Sequence, residues 1–179
     1  GTVLGDGAGL LLLEDAAHAR RRGAATLAIM AGYGLGADTT GLTRIAADGS
    51  HLARAIQEAL CLAEIPARDV GYINTSATGS PALYDAVLCA LLTVFGGSPP
   101  PTSSLKSQIG HSIGGSGTLE SIATILALQH QILPPTLGEG STEIDTIPQA
   151  RPHTFSVALN NAVAMSGHIC TIVLKRGAQ

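Results

Sequence analysis

The sequence predicts a layered α/β domain built on a mixed sheet, and three observations carry that expectation. Of 179 residues, 45% are hydrophobic and only 13% charged, the balance of a chain that buries most of its surface. The apolar content is dominated by Ala, Leu, Ile and Val, with aromatics at 3%, which suits helices packed on buried strands. Strand-like and helix-like segments alternate along the chain, and no repeat of solenoid length interrupts them.

The elements follow in order. Residues 10–13, four consecutive leucines, read as a buried strand, followed by a helix over residues 16–22 that Gly23 ends. Residues 26–35 alternate small and apolar side chains and read as a second strand. Within them Gly32-Tyr33-Gly34-Leu35-Gly36 resembles part of a dinucleotide loop, but no helix follows at the required spacing, so that reading is discarded. Residues 51–64 carry Leu52, Ala55, Ile56, Ala59 and Leu60 at helical spacing, and Pro66 marks the exit. Residues 70–74 read as a short strand running into the polar loop 75–81. A helix over residues 82–95 ends at Gly96-Gly97-Ser98 and the prolines 99–101. Another helix begins after Gly117 and is ended by Pro134-Pro135. Residues 138–152 form a polar connection, and residues 154–160 and 168–174 are the last two strands. The predicted order is β-α-β-α-β-α-α-β-β.

Composition also excludes function classes. A net charge of −3 gives no field for nucleic acid or anionic lipid, and the single basic run, Arg20-Arg21-Arg22, reads as a solvated helix end. No apolar run is long enough to span a bilayer and no signal-peptide pattern opens the chain, so a cytoplasmic location is expected. Cys61, Cys89 and Cys170 lack metal-ligand spacing, so no metal site is expected; all three are expected to be buried, reduced and structural. The opening Gly1-Thr2-Val3-Leu4-Gly5-Asp6-Gly7-Ala8-Gly9 reads as the middle of a longer polypeptide.

The chemistry-bearing stretch is residues 102–120, where Lys106, His111 and Glu120 surround glycines at 110, 114, 115 and 117 before an apolar helix. Glycines there let the backbone turn tightly and bring main-chain N–H groups close to a bound group. A histidine beside a helix N-terminus is expected to stay neutral and can donate one hydrogen bond to a developing oxyanion. A helix-capping turn with a satisfied histidine is the plainer reading of Gly-His-Ser alone.

Together, Gly1-Thr2-Val3-Leu4-Gly5-Asp6-Gly7-Ala8-Gly9, Lys106-Ser107-x-x-Gly110-His111 with Glu120, Pro134-Pro135-Thr136, and Leu159-x-Asn161 to Gly167-His168 resemble the C-terminal half of the elongating β-ketoacyl synthases. These are condensing enzymes of fatty acid and type II polyketide synthesis. The resemblance implies the thiolase-like fold, with residues 1–179 as its C-terminal half and the N-terminal half absent from this chain. In that family a cysteine accepts the acyl chain and two histidines assist malonyl decarboxylation and stabilise the oxyanion. The cysteine belongs to the other half. His111 matches one histidine, and Lys106 and Glu120 match a supporting ion pair.

The departures are equally specific. The family's Asn-Ala-His-Gly-Thr stands here as Asn74-Thr75-Ser76-Ala77-Thr78, so Ser76 occupies the second histidine position. Losing such a donor costs about 2.7–4 kcal/mol in the transition state. The acidic positions that follow are Tyr84 and Val87. The gating Gly-Phe-Gly-Gly is Ala164-Met165-Ser166-Gly167, a stiffer loop in which Met165 is expected to line an acyl tunnel.

The resemblance, with these departures, implies a chain length factor-like, largely non-catalytic subunit with an incomplete active site. Its expected partners are the N-terminal half, a ketosynthase subunit in a heterodimer, and an acyl carrier protein. No cofactor is expected to be bound, since phosphopantetheine arrives on the carrier. An active β-ketoacyl-[acyl carrier protein] synthase with a Cys-Ser-His site, or a non-catalytic scaffold, are the alternatives. Because halves of this fold bury a sheet face against each other, the isolated chain is expected to be insoluble or molten.

Overall fold

In the computed structural model, which describes residues 1–138 and 143–177, the chain begins with an extended segment and a short helix α1 (Ala16–Arg21). Then come β1 (Ala28–Ala37), α2 (Ser50–Ala63), β2 (Tyr72–Asn74), α3 (Pro81–Phe95), β3 (Thr102–Ser103), α4 (Lys106–Ile109) and α5 (Ser116–His130). The two-residue strands β4 (Ile132–Leu133) and β5 (Arg151–Pro152) precede β6 (Val157–Val163) and β7 (His168–Arg176). The main sheet has the spatial order β1-β7-β6-β2-β3, antiparallel across β1, β7 and β6 and parallel across β6, β2 and β3. It is the mixed sheet that the alternation of segments predicts.

Side-chain alternation along the strands sorts the core into two layers. On one face Ile73, Val157, Leu159, Ile169 and Val173 pack against Leu52, Ile56, Ala59 and Leu60 of α2 and Val87, Ala90 and Leu91 of α3. On the other face Tyr72, Ala158 and Leu174 meet Ala127 and Leu128 of α5, together with Leu133, Ile147 and Phe155. The glycine run in β1 belongs to this packing. A Cβ on Gly34 would stand 1.9 Å from the carbonyl oxygen of Ala55, and one on Gly32 would stand 2.5 Å from that of Ala59. Residues 32–36 are therefore a strand against which α2 lies backbone to backbone, consistent with rejecting the dinucleotide reading.

Several expectations change. Residues 10–13 are not a strand: no other described segment pairs with them, and Leu10, Leu12 and Leu13 are 85, 82 and 71% exposed. An apolar run becomes a strand only where a ladder partner exists. Pro134-Pro135 do not end α5. The helix stops at His130 because Gln131 turns left-handed at φ 55°, and β4 intervenes. Cys61 is exposed, on the face of α2 away from the sheet, while Cys89 and Cys170 are half-buried; all three are free thiols. Burial raises the Cys170 thiol above its ordinary range. Of the polar connection 138–152, residues 139–142 lie outside the described residues. No described helix is long and apolar enough to cross a membrane.

Candidate functional site

The site forms where the C-terminal ends of β2, β3 and β6 meet the start of α5. Asn74 at the end of β2 donates to Asn160 Oδ1 of β6 at 2.7 Å, and Asn160 Nδ2 donates to Ser121 Oγ of α5 at 2.9 Å. That buried chain of amides fixes sheet and helix relative to one another before any reactive group is placed. Gly5 crosses Gly110 so closely that a Cβ on Gly5 would lie 2.0 Å from the Ile109 carbonyl oxygen. The crossing lets Val3 accept from the His111 N–H at 2.8 Å and Gly5 donate to the His111 carbonyl at 3.2 Å. The opening glycine motif thus holds the backbone of the histidine.

Lys106 opens α4 immediately after β3, and its Nζ donates to Glu120 Oε1. Both side chains are almost wholly buried, at 5 and 2% exposure. Burial raises the Glu120 carboxyl above the usual carboxylate range, against the opposing pull of the Lys106 charge. Glu120 Oε2 has no hydrogen-bond partner among the described residues. Glu120 is also one turn beyond Ser116, whose Oγ pairs with His111 Nδ1 at 2.7 Å. Burial first, and the Lys106 charge second, lower the His111 pKa. The imidazole is therefore neutral near pH 7 and can donate or accept one hydrogen bond.

Ser76 is enclosed by the elements around it. It is 1% exposed, its Oγ accepts the Val163 N–H at 3.0 Å, and it lies 3.5 Å from Lys106 Nζ. It lines neither of the two cavities around the site. The hydroxyl links the end of β6 to the buried ion pair and does not face His111's chamber.

That chamber, about 470 Å³, is lined by His111, Thr78, Val163, Ala164 and Met165 and by the loop Thr40 to Ile45. Met165 is 75% exposed. Ser166 sits in the left-handed region at φ 73°; its Oγ accompanies the Met165 carbonyl and lies 3.3 Å from His168 Nδ1. The loop is tied to its neighbour by Ser166 N–H to the Leu42 carbonyl and by Asp38 N–H to the Gly167 carbonyl, both at 2.8 Å. Asp38 in turn accepts from the Thr40 and Ala46 N–H groups. The structure thus brings Lys106, Glu120 and Ser76 into one buried cluster, and His111, Thr78, Ala164 and Met165 around one chamber. Ser116, Asn160, Ser121 and Asp38 are participants that the sequence reading does not single out; the one signal for them is a run of small polar residues beside each motif.

The sequence model of the β-ketoacyl synthase C-terminal domain matches residues 27–139. Among curated proteins, 3-oxoacyl-[acyl-carrier-protein] synthase 2 of Rhizobium meliloti is 39% identical, over 98% of this chain and 43% of its own length. The enzyme of the same description from Vibrio harveyi is 37% identical, over all of this chain and 45% of its own length. The chain thus spans under half the length of these relatives. Among solved structures, the ishigamide ketosynthase/chain length factor superposes with a TM-score of 0.93 at 33% identity, over 98% of this chain and 44% of that one. A type II polyketide synthase acyl-carrier protein in complex with its ketosynthase bound to the hexaketide gives 0.86 at 30%, over 91% of this chain and 42% of that one. The fold is thiolase-like, a mixed sheet between helical layers. With the domain model covering more than half of its residues and the likeness to curated relatives covering nearly all of this chain, the chain belongs to the β-ketoacyl synthase family, in the region of its C-terminal domain.

Proposed function

We propose that this chain is the C-terminal part of a chain length factor-type subunit, a largely non-catalytic member of a ketosynthase assembly for polyketide or fatty-acid-like chains. The observation that carries this reading is Ser76. In the position where the family pattern has a histidine, Ser76 is 1% exposed, its Oγ accepts the Val163 N–H, and it is not among the residues lining the His111 chamber, so its O–H is not presented to a reacting group there. General acid–base work of the condensing type needs that donor within reach of the reacting carboxylate. The Lys106–Glu120 pair then holds the loop that carries His111, and His111 itself is a satisfied, neutral group hydrogen-bonded to Ser116.

In this reading the partners are the N-terminal half of the fold, which would carry the nucleophile position, a ketosynthase subunit, and an acyl carrier protein that delivers its phosphopantetheine-linked chain. The hydroxyls of Thr40, Thr78 and Ser80 at the His111 chamber suit a slim arm bearing amides, and the apolar Leu42, Ile45 and Met165 suit the acyl chain beyond it. The relatives named as 3-oxoacyl synthases support the reaction class, and the ketosynthase/chain length factor neighbour supports the subunit type. His111→Ala in the reconstituted complex is the test: a condensation rate within about twofold of the parent is expected. A loss of about a hundredfold or more, the effect of removing an oxyanion donor, would favour the second reading, an active synthase with a Cys-Ser-His site. What favours that second reading is the lowered pKa of His111, which keeps a neutral imidazole in an open chamber.

A further inference from the structure

We propose that Ser116 is a positioning residue that decides which ring nitrogen of His111 carries the proton: backed by Ser112, it donates to Nδ1 and leaves Nε2–H to a group in the chamber. Three side chains stand in a row. Ser116 Oγ lies 2.7 Å from His111 Nδ1, and Ser112 Oγ lies 3.2 Å from Ser116 Oγ. Ser116 is 7% exposed, and Ser112 makes no other side-chain hydrogen bond among the described residues. His111 lines the chamber, and its Nε2 has no hydrogen-bond partner among the described residues.

A neutral imidazole has one N–H and each hydroxyl has one proton, so the row can run in two ways. Either Ser112 donates to Ser116 and Ser116 to Nδ1, with the ring proton on Nε2, or every proton points the other way and Nε2 keeps a lone pair. The surroundings choose the first. Ser116 is the first residue of the 15-residue helix α5, whose unpaired N–H groups make that end positive, and the lone pair on Nδ1 is the negative end of the imidazole dipole. The local backbone holds the row in place. Ile113 sits at φ 50°, a left-handed conformation that is costly for a β-branched residue, and Gly115 N–H donates to the Ser112 carbonyl at 3.0 Å; this turn folds Ser112 back onto Ser116. The His111 main chain is held at Val3 and Gly5, so turning the ring over would put a carbon in place of Nδ1 against Ser116 Oγ. Arg44 is the other side chain of fixed polarity in the chamber wall, and it too only donates; no carboxylate lines the chamber among the described residues. A ligand atom seated against His111 is therefore an acceptor, and a carbonyl oxygen is the type that suits a neutral N–H.

The place of the proton does not depend on whether His111 takes part in condensation, so this inference and the function proposed above are tested separately. The protein, purified with any chain that stays bound to it and labelled with nitrogen-15 in its histidine rings, is observed by two-bond proton–nitrogen correlation at about pH 8, above the ordinary imidazole range. His111→Gln identifies the His111 signals by their loss. The parent is expected to show a single form with the proton on Nε2. Ser116→Asp replaces the donor by a carboxylate that only accepts, and is expected to place a proton on Nδ1. Ser116→Ala is expected to shift the Nδ1 resonance to that of a nitrogen without its hydrogen bond. Circular dichroism establishes that each variant is folded, and the alanine variant decides if the aspartate one is not. A proton on Nδ1 in the parent overturns the proposal, as does an Nδ1 signal unchanged in folded Ser116→Ala or unprotonated in folded Ser116→Asp. If His111→Ala abolishes condensation while these spectra come out as expected, the chain length factor reading fails and the role of Ser116 stands.

Discussion

The hydroxyl of Ser76 accepts the Val163 N–H inside a core where the residue is 1% exposed, so Ser76→Ala strips a buried donor of its partner. The expected loss is about 1–3 kcal/mol, read by denaturant unfolding. Lys106 and Glu120 form the sharper case. Lys106→Met leaves Glu120 buried and unpaired and is expected to lower stability by about 3–5 kcal/mol, while the double change Lys106→Met with Glu120→Leu recovers most of that. His111 makes stability depend on pH. Its pKa is lowered on folding, so the unfolded chain takes up its proton first as pH falls. The His111 contribution is complete above the ordinary imidazole value of 6.5 and is lost as pH falls through the lowered folded value. Unfolding free energy measured across that window should decline in the parent and decline less in His111→Gln. Lys106, His111 and Glu120 are legible in the sequence because a short motif places them. Ser116 and Ser121 are not, because their roles arise from hydrogen bonds to residues that only the fold brings near.

At the scale of elements, β2, α2, α3, β6 and β7 follow from apolar period and turn residues alone. The failures have physical causes. Residues 10–13 have strand composition and no ladder partner, and β3, β4 and β5 at two residues each are shorter than any periodicity can register. β1 shows what composition hides: its glycines are there for α2, and Gly34→Ala is expected to force strand and helix apart. The expected destabilisation is about 1–3 kcal/mol, checked by thermal unfolding. The loop 164–167 makes the opposite case, because Ser166 occupies a left-handed conformation at φ 73° that is unfavourable for a side chain with a Cβ. Ser166→Gly is expected to leave stability nearly unchanged, strain relief being offset by unfolded-state entropy. Amide exchange at Met165 to Gly167 is expected to speed up. Slower exchange in the glycine variant would show that Ser166 does not stiffen the loop.

For the whole molecule, exposed apolar side chains gather at Leu10, Leu12 and Leu13 and at Met30, Tyr33 and Leu35 on the face of β1 away from α2. Single exposed leucines are ordinary, but a run of this kind marks a face that associates. The chain studied alone is expected to bind hydrophobic dyes and to elute as aggregates; a monomer that unfolds cooperatively would contradict this. In the proposed reading, Ser76 in place of a second histidine and the side chains of Ala164 to Ser166 in place of the gating glycines bear on one process, decarboxylation of the malonyl extender. The direct measurement is release of carbon dioxide from malonyl-carrier by the subunit purified without a ketosynthase partner. Release at background, restored only when the ketosynthase is added, is the result the account predicts; robust release by the subunit alone would contradict it.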